Sequence, residues 1–205
     1  MILTRAGFSG TDGYAAEAPT LFDRYERRSF DEVHAAILDL MPPGGRALDI
    51  GAGTGRDAGA LAARGFAVTA VEPIAELREP ARTLHPSPAI EWIDDGLPEL
   101  ATLIGRAGWY DLVLATAVWM HLDEAERATA MDAVAPLVGA GGILSITLRR
   151  GAVPAGRRMF HVDPEEPIAQ AAAHGLTCVL DDDEPSIGAD NLAAGVSWRR
   201  VVFRR

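Results

Sequence analysis

The stretch Ala47-Leu48-Asp49-Ile50-Gly51-Ala52-Gly53-Thr54-Gly55-Arg56-Asp57-Ala58 decides how this chain folds. Ala47 to Ile50 supply an apolar strand, and the glycines at 51, 53 and 55 break it into a turn. Glycine tolerates positive φ and lets a ligand approach the main chain within contact distance. A helix over about residues 56 to 64 then presents its first N–H groups to that ligand. Strand, glycine turn and helix together read as the cradle of a nucleotide-type cofactor.

A second apolar strand, residues 67 to 71, ends in Glu72, some twenty residues downstream, where a carboxylate can accept hydrogen bonds from both hydroxyls of a ribose. The glycine spacing is D-x-G-x-G-x-G. Position 56 holds Arg where the dinucleotide fingerprint G-x-G-x-x-G has its third glycine, which disfavours a pyrophosphate cofactor. On these residues the chain resembles the class I S-adenosylmethionine-dependent methyltransferases, from about residue 30 to its C-terminus. The resemblance implies S-adenosylmethionine as cofactor and S-adenosylhomocysteine as product. It implies that Gly51, Ala52, Gly53 and Gly55 line the methionine and ribose, that Asp49 lies near the methionine amino group, and that Glu72, followed by Pro73, holds the ribose.

Composition narrows the alternatives. A chain of 205 residues, 48% hydrophobic, suits one domain, and none of its apolar runs approaches the roughly 18 residues of a membrane span. The N-terminal stretch 1–19 lacks a basic region followed by an apolar one, so a secretory leader is not expected, and a cytoplasmic setting is. The single Cys178 rules out an internal disulfide and offers no zinc cluster; no metal is expected. A formal net charge of -10 argues against a nucleic-acid partner, whose binding leans on many cations. All 19 basic residues are Arg and none is Lys, which removes Schiff-base chemistry and the phosphate-loop lysine. A small-molecule substrate and a monomer or homodimer are expected.

Apolar runs alternate with helical patterns along the chain, the pattern of a doubly wound sheet. Strands are expected near residues 46–50, 67–71, 89–93, 110–115, 142–148, 176–181 and 196–203, and helices over about 29–41, 56–64, 74–84, 123–137 and 164–174. Asp123 is placed to cap the fourth of these helices. The predicted fold is α/β: a Rossmann-like, doubly wound, seven-stranded sheet, mostly parallel, with the last strand antiparallel as the resemblance implies. Residues 1–205 form a single domain in this reading, with 1–40 as a helical cap and 41–205 as the core. The acidic run Asp181 to Glu184 reads as a solvated loop, a cation site there lacking a matched ligand elsewhere.

Ligands of open α/β sheets sit at the carboxyl ends of the strands. The third strand ends in Asp94-Asp95-Gly96, where the resemblance implies an acid for the adenine amino group; Asp95 is the first choice and Asp94 the second, against a local turn before Gly96. The fourth strand leads into Thr116 and Ala117, expected along the cofactor, and Trp119, expected against the acceptor. His121 follows as candidate general base, its unperturbed pKa near 6.5 suiting proton transfer, or else as a capping or packing residue. Tyr14, in a Gly/Ala-rich stretch, is a candidate cofactor contact from the cap. Arg149, Arg157 and Arg158 either recognise a carboxylate or phosphate on the acceptor or pair with surface acids.

The function expected is methyl transfer, in line, to a small metabolite, an anionic one where the arginines bind it. Two other classes stay open at this point: an NAD(P)-dependent oxidoreductase and a non-catalytic module that binds S-adenosylmethionine.

Overall fold

The computed structural model describes residues 8–205; residues 1–7, part of the segment read for a leader and of the expected cap, lie outside them. The strands are β1 (Gly45–Ile50), β2 (Phe66–Val71), β3 (Ile90–Ile93), β4 (Tyr110–Ala115), β5 (Val138–Arg150), β6 (Thr177–Pro185) and β7 (Ser197–Arg204). The helices are α1 (Tyr14–Tyr25), α2 (Phe30–His34), α3 (Arg56–Ala63), α4 (Ala75–Leu84), α5 (Glu124–Val134), α6 (Glu165–Ala173) and α7 (Ala189–Ala193). One sheet runs in the order β3-β2-β1-β4-β5-β7-β6. β1 lies parallel to β2 and β4, β2 to β3 and β4 to β5, whereas β7 runs antiparallel to both β5 and β6. The expected Rossmann-like sheet is what the chain forms.

Side-chain alternation along the strands builds a core on each face. Leu48, Ile50, Val113 and Ala115 pack on one side with Ala130, Met131 and Val134 of α5 and Ala171 of α6. Ala47, Leu112 and Leu114 pack on the other with Ala58 and Leu61 of α3 and with Phe30 and Ile37. Strands buried on both faces read as continuous apolar runs, which is why β1 and β4 stand out in the sequence. The strand order turns back between β1 and β4, and that reversal opens a crevice at their carboxyl ends.

Several boundaries differ from the sequence reading for identifiable reasons. The helix expected over 29–41 is short: α2 passes after His34 into a 3-10 turn, Ala35–Ile37. The helix expected over 123–137 likewise ends in a 3-10 turn, Ala135–Leu137, at Pro136. Its start is as expected, a capping box in which Asp123 and Glu126 exchange side-chain and backbone hydrogen bonds. α1 lies in the segment expected to be helical, but the sequence reading sets no bounds for it, since it has no side-chain cap and carries Pro19 inside it.

The acidic run is a correction. Asp181 to Glu184 belong to β6, where Arg199 of β7 pairs with Asp181 and Asp183, and Arg200 with Glu184. Charge pairs across two antiparallel strands hold together a segment whose own composition suits a loop. Among the described residues no helix is long and apolar enough to cross a membrane, and no cluster of His, Cys, Asp or Glu has the make-up of a metal site.

Candidate functional site

The turn after β1 is held from below. Gly51 and Ala52 donate their N–H groups to the Val71 carbonyl at 2.8 and 3.0 Å, and Gly53 donates to Glu72 Oε2 at 2.8 Å. Gly51 has φ 70°, and a Cβ there would stand 2.3 Å from Cγ1 of Val118, so the turn passes the end of β4 only because residue 51 has no side chain. At Gly53 a Cβ would meet nothing nearer than the Gly51 carbonyl at 3.9 Å, so open space lies above the turn.

Two carboxyl groups form the floor. Glu72 is 4% exposed and its oxygens accept from Gly53 N and from Ile74 N at 2.9 Å. Burial pushes its pKa up to about 7 against the pull of those two N–H groups and of Arg78. Asp49, 2% exposed, takes the Ala58 N–H, while its Oδ2 has no hydrogen-bond partner among the described residues. Burial first, then the neighbouring Asp57 charge, raise the Asp49 carboxyl well above the usual carboxylate range. An orphaned buried carboxyl oxygen is costly unless a ligand completes it. A glycine cradle with open space, one carboxyl short of a donor and a second with lone pairs in reserve fit a ligand carrying an ammonium group and hydroxyls, which S-adenosylmethionine does.

The other expected cofactor residues divide. Asp95 is enclosed in its own turn, Oδ1 accepting from Gly96 N at 2.8 Å and Oδ2 from Thr102 N and Oγ1 at 2.7 and 2.6 Å. Asp94, at the open carboxyl end of β3, forms an ion pair with Arg78 at 3.3 Å. Pro73 and Phe8 both lie over Gly96, where a Cβ would come within 3.3 and 2.9 Å of their rings. Ala117 adopts φ 58° and donates its N–H to Thr147 Oγ1 at 2.7 Å, which bends the chain after Thr116 along the crevice. Trp119, expected against the acceptor, has its ring wholly buried in the core, with Nε1 lacking a hydrogen-bond partner among the described residues.

His121 sits at the wall of the crevice, 6% exposed, in the 3-10 turn Trp119–His121 that precedes the α5 cap. A backbone carbonyl can only accept, so Nδ1 donates to the Arg158 carbonyl at 2.8 Å and the ring proton sits on that nitrogen. Nε2 is thereby left as an acceptor, and the Tyr14 hydroxyl donates to it at 3.0 Å. Burial lowers the His121 pKa from its ordinary 6.5, and the nearby arginines lower it further. Tyr14 opens α1 and meets the imidazole edge-on, with the guanidinium of Arg157 3.6 Å from its ring centre. Burial raises the Tyr14 pKa, so its hydroxyl keeps its proton.

The arginines expected to hold substrate do not act alike. Arg157 donates to the Asp12 carbonyl at 2.9 Å and to Glu17 at 2.6 Å, tying α1 down. Arg158 donates to the His121 carbonyl, Glu126 and Asp123. Both guanidiniums thus follow the other reading, pairing with acids of this chain. Arg149 alone of the three has no carboxylate within ion-pair distance among the described residues; its Nη1 donates to the Ala152 carbonyl at 2.8 Å. Arg149 lines a cavity of about 110 Å³ with Met120, Val153, Met159, Phe160 and His161.

Some residues here carried no sequence signal. Gly10 packs so closely on His121 that a Cβ would stand 2.3 Å from the histidine's own Cβ. Met159 and Phe160 reach Met120, which follows the fourth strand, only through the path of the loop after β5. Glu26, at the end of α1, accepts from Thr54 Oγ1 at 2.5 Å and so fastens the N-terminal helix to the glycine turn.

Comparison with known proteins agrees with this geometry. The model of a family described as a methyltransferase domain matches residues 22–175. Glycine N-methyltransferase of Homo sapiens is 27% identical over 94% of this chain and 75% of its own. Among solved structures, the [4+2]-cyclase SpnF superposes with a TM-score of 0.70 at 17% identity over 94% of this chain and 93% of that one. The Burkholderia thailandensis 1,6-didemethyltoxoflavin-N1-methyltransferase, solved with S-adenosylhomocysteine, gives 0.63 at 18% identity over 98% and 93%. A Methanosarcina mazei S-adenosylmethionine-dependent methyltransferase gives 0.67 at 15% identity over 83% and 96%. The oxidoreductase reading falls away, and with a family model over most of its length and a seven-stranded sheet beneath it, this chain belongs to the methyltransferase domain family as a class I S-adenosylmethionine-dependent enzyme.

Proposed function

We propose that the protein methylates a small anionic acceptor held between the ends of β4 and β5, with His121 as proton acceptor and residues 1–40 as a cap. The observation that carries this reading is the tautomer of His121: with its proton on Nδ1 toward the Arg158 carbonyl, Nε2 accepts from the Tyr14 hydroxyl, so a proton can reach it through that hydroxyl. S-adenosylmethionine supplies a methyl group made electrophilic by a positively charged sulfur. Asp49 would take its ammonium group, Gly51, Ala52, Gly53 and Gly55 its methionine and ribose, and Glu72 the ribose hydroxyls. Pro73, Thr116 and Ala117 would pack along it. Asp95 and Asp94, at the end of β3, are the acids placed for the adenine edge, the first accepting from Gly96 and Thr102 and the second paired with Arg78.

The chain's remaining work is positioning and proton transfer. Arg149 recognises the anion of the acceptor, the wall of Met120, Met159 and Phe160 seats its apolar part, and α1 closes over both to exclude water. The proton lost by the attacking atom passes to the hydroxyl oxygen of Tyr14 as that hydroxyl gives its own proton to Nε2 of His121. Glycine, the molecule named in the human relative, carries a carboxylate and a nitrogen nucleophile, and that class agrees with a lone Arg149.

The test is transfer of a labelled methyl group from S-adenosylmethionine to a panel of small carboxylates and their neutral amides. Label should appear in carboxylates and be lost with His121→Asn, while S-adenosylhomocysteine binds the variant as it does the parent. Equal labelling of amides would remove Arg149 from recognition, and an unchanged rate in His121→Asn would remove the base.

A further inference from the structure

Behind the glycine turn, three buried polar side chains, His34, Asp57 and Arg200, are joined in one chain of contacts. Arg200 of β7 reaches Glu184 at 2.6 Å, Ser145 Oγ at 3.0 Å, the Val33 carbonyl at 2.7 Å and His34 Nδ1 at 3.4 Å. A guanidinium only donates, so His34 Nδ1 accepts and the ring proton lies on Nε2, which donates to Asp57 Oδ2 at 2.8 Å. The other oxygen of Asp57 accepts from Arg56 Nε at 2.7 Å. A chain of contacts therefore starts on the antiparallel strand and ends in the first turn of α3, directly behind the glycine turn.

Asp49 lies at that end, against Ala58 N–H and within electrostatic reach of Asp57. Asp57 is 4% exposed with donors on both oxygens, and Asp49 is 2% exposed with one oxygen that has none among the described residues. Two carboxyl groups in one water-poor site do not both hold a charge at low cost, and the charge stays where the donors are. The other charged groups facing Asp49 are Arg56, itself shared with Asp57 and Glu26, and Glu72.

We propose that His34 and Arg200 lock the negative charge on Asp57, so that Asp49 keeps a proton in the free protein and releases it when the ammonium group of the cofactor arrives. Binding of S-adenosylmethionine is then proton-linked, and His34 is a positioning residue for it. The step is one O–H bond broken at Asp49, its proton passing to solvent, and one ion pair formed between the carboxylate and the ammonium group. Burial and the Asp57 charge raise the Asp49 carboxyl, and although burial opposes it, His34 and Arg56 hold Asp57 below the usual carboxylate range. The inference rests on Asp49 facing the ammonium group and goes beyond that by assigning its proton and the residues that keep it there.

The experiment is calorimetric titration with S-adenosylhomocysteine at about pH 8 in buffers of different ionisation enthalpy, since Glu72, at about 7, is then mostly ionised already. The parent should release on the order of one proton per ligand bound. Asp57→Asn should bind with little or no release, His34→Leu should release less than the parent, and His34→Gln, which restores a donor toward Asp57, should recover it. A purely structural His34 would change stability and leave the proton count alone. Infrared spectra of the free protein should show a protonated carboxyl band that Asp49→Asn removes. Tight binding without proton release, or a free protein lacking that band, overturns the inference. Unchanged affinity in Asp49→Asn overturns the placement of Asp49 itself, which separates the two failures.

Discussion

The floor beneath the glycine turn and the arginine loop after β5 are both rich in charge, yet they treat it in opposite ways. On the floor, Asp49 is buried with an unmet oxygen and Glu72 is buried with only backbone donors. In the loop, Arg157 and Arg158 are matched by Glu17, Asp123 and Glu126. Matched charges fasten one element to another, and unmatched ones cost free energy unless a ligand completes them. Arg149 is the informative exception, because it lies in the matched region and shares the condition of the floor.

His121→Ala tests the wall between the two regions and should have the largest effect. Turnover should fall by about 10²- to 10⁴-fold with cofactor affinity unchanged, the usual contribution of a general base. In the parent, the acid limb of the rate profile should lie below pH 6.5, because burial lowers the histidine. Steady-state kinetics against pH, with binding measured separately, would show a matched fall in affinity if His121 were part of the floor instead.

Glu72 sharpens the comparison from the floor side. Its carboxyl lies at about 7 in the folded chain against an ordinary 4.5, so its contribution to stability is complete below about pH 4.5 and is lost as pH rises through 7. The difference amounts to about 3 kcal/mol. Denaturant unfolding of the free protein from pH 5 to 8 should show that decline, and Glu72→Gln should reduce it to the part that Asp49 carries. Affinity for S-adenosylhomocysteine should rise over the same window, as the ionised form becomes available to the ribose; affinity falling with pH would break the assignment.

Arg149→Gln asks whether the exception belongs with the floor. It should raise the KM for a carboxylate acceptor by about 10- to 100-fold, the loss of a charge-assisted hydrogen bond, with a smaller change in kcat. Asp183→Asn, in a matched and exposed cluster with Arg150 and Arg199, should change stability by about 1 kcal/mol or less and leave kinetics unchanged. A kinetic effect there as large as that of Arg149 would dissolve the distinction.

What could be read in advance follows from how local each signal is. The strand, glycine turn and helix at 47–64 are legible because burial on both faces demands an unbroken apolar run and the turn demands glycine, all within a short window. Asp123 is legible for the same reason, as its capping partner lies three residues away. The strand at Asp181 to Glu184 is not, since it depends on arginines in β7. The bounds of α1 are not, because neither a side-chain cap nor an unbroken pattern marks them. Asp95 and Arg157 look like ligand residues by type and position, and only the fold shows that Thr102 donates to the one and that the other donates to Glu17.

The sequence by itself determined the run of strands and helices, the glycine cradle and the acid at the end of β2, because these depend on periodicity and on residue types a few positions apart; the cofactor came with the family resemblance that those residues carry. Only the tertiary structure decided which charges are met and which are not: that Tyr14 crosses to His121, that Arg149 lacks an acid among the described residues, and that Arg200 reaches through His34 to Asp57. Whether a polar group is satisfied is set by neighbours far away in the chain, and folding brings those neighbours together.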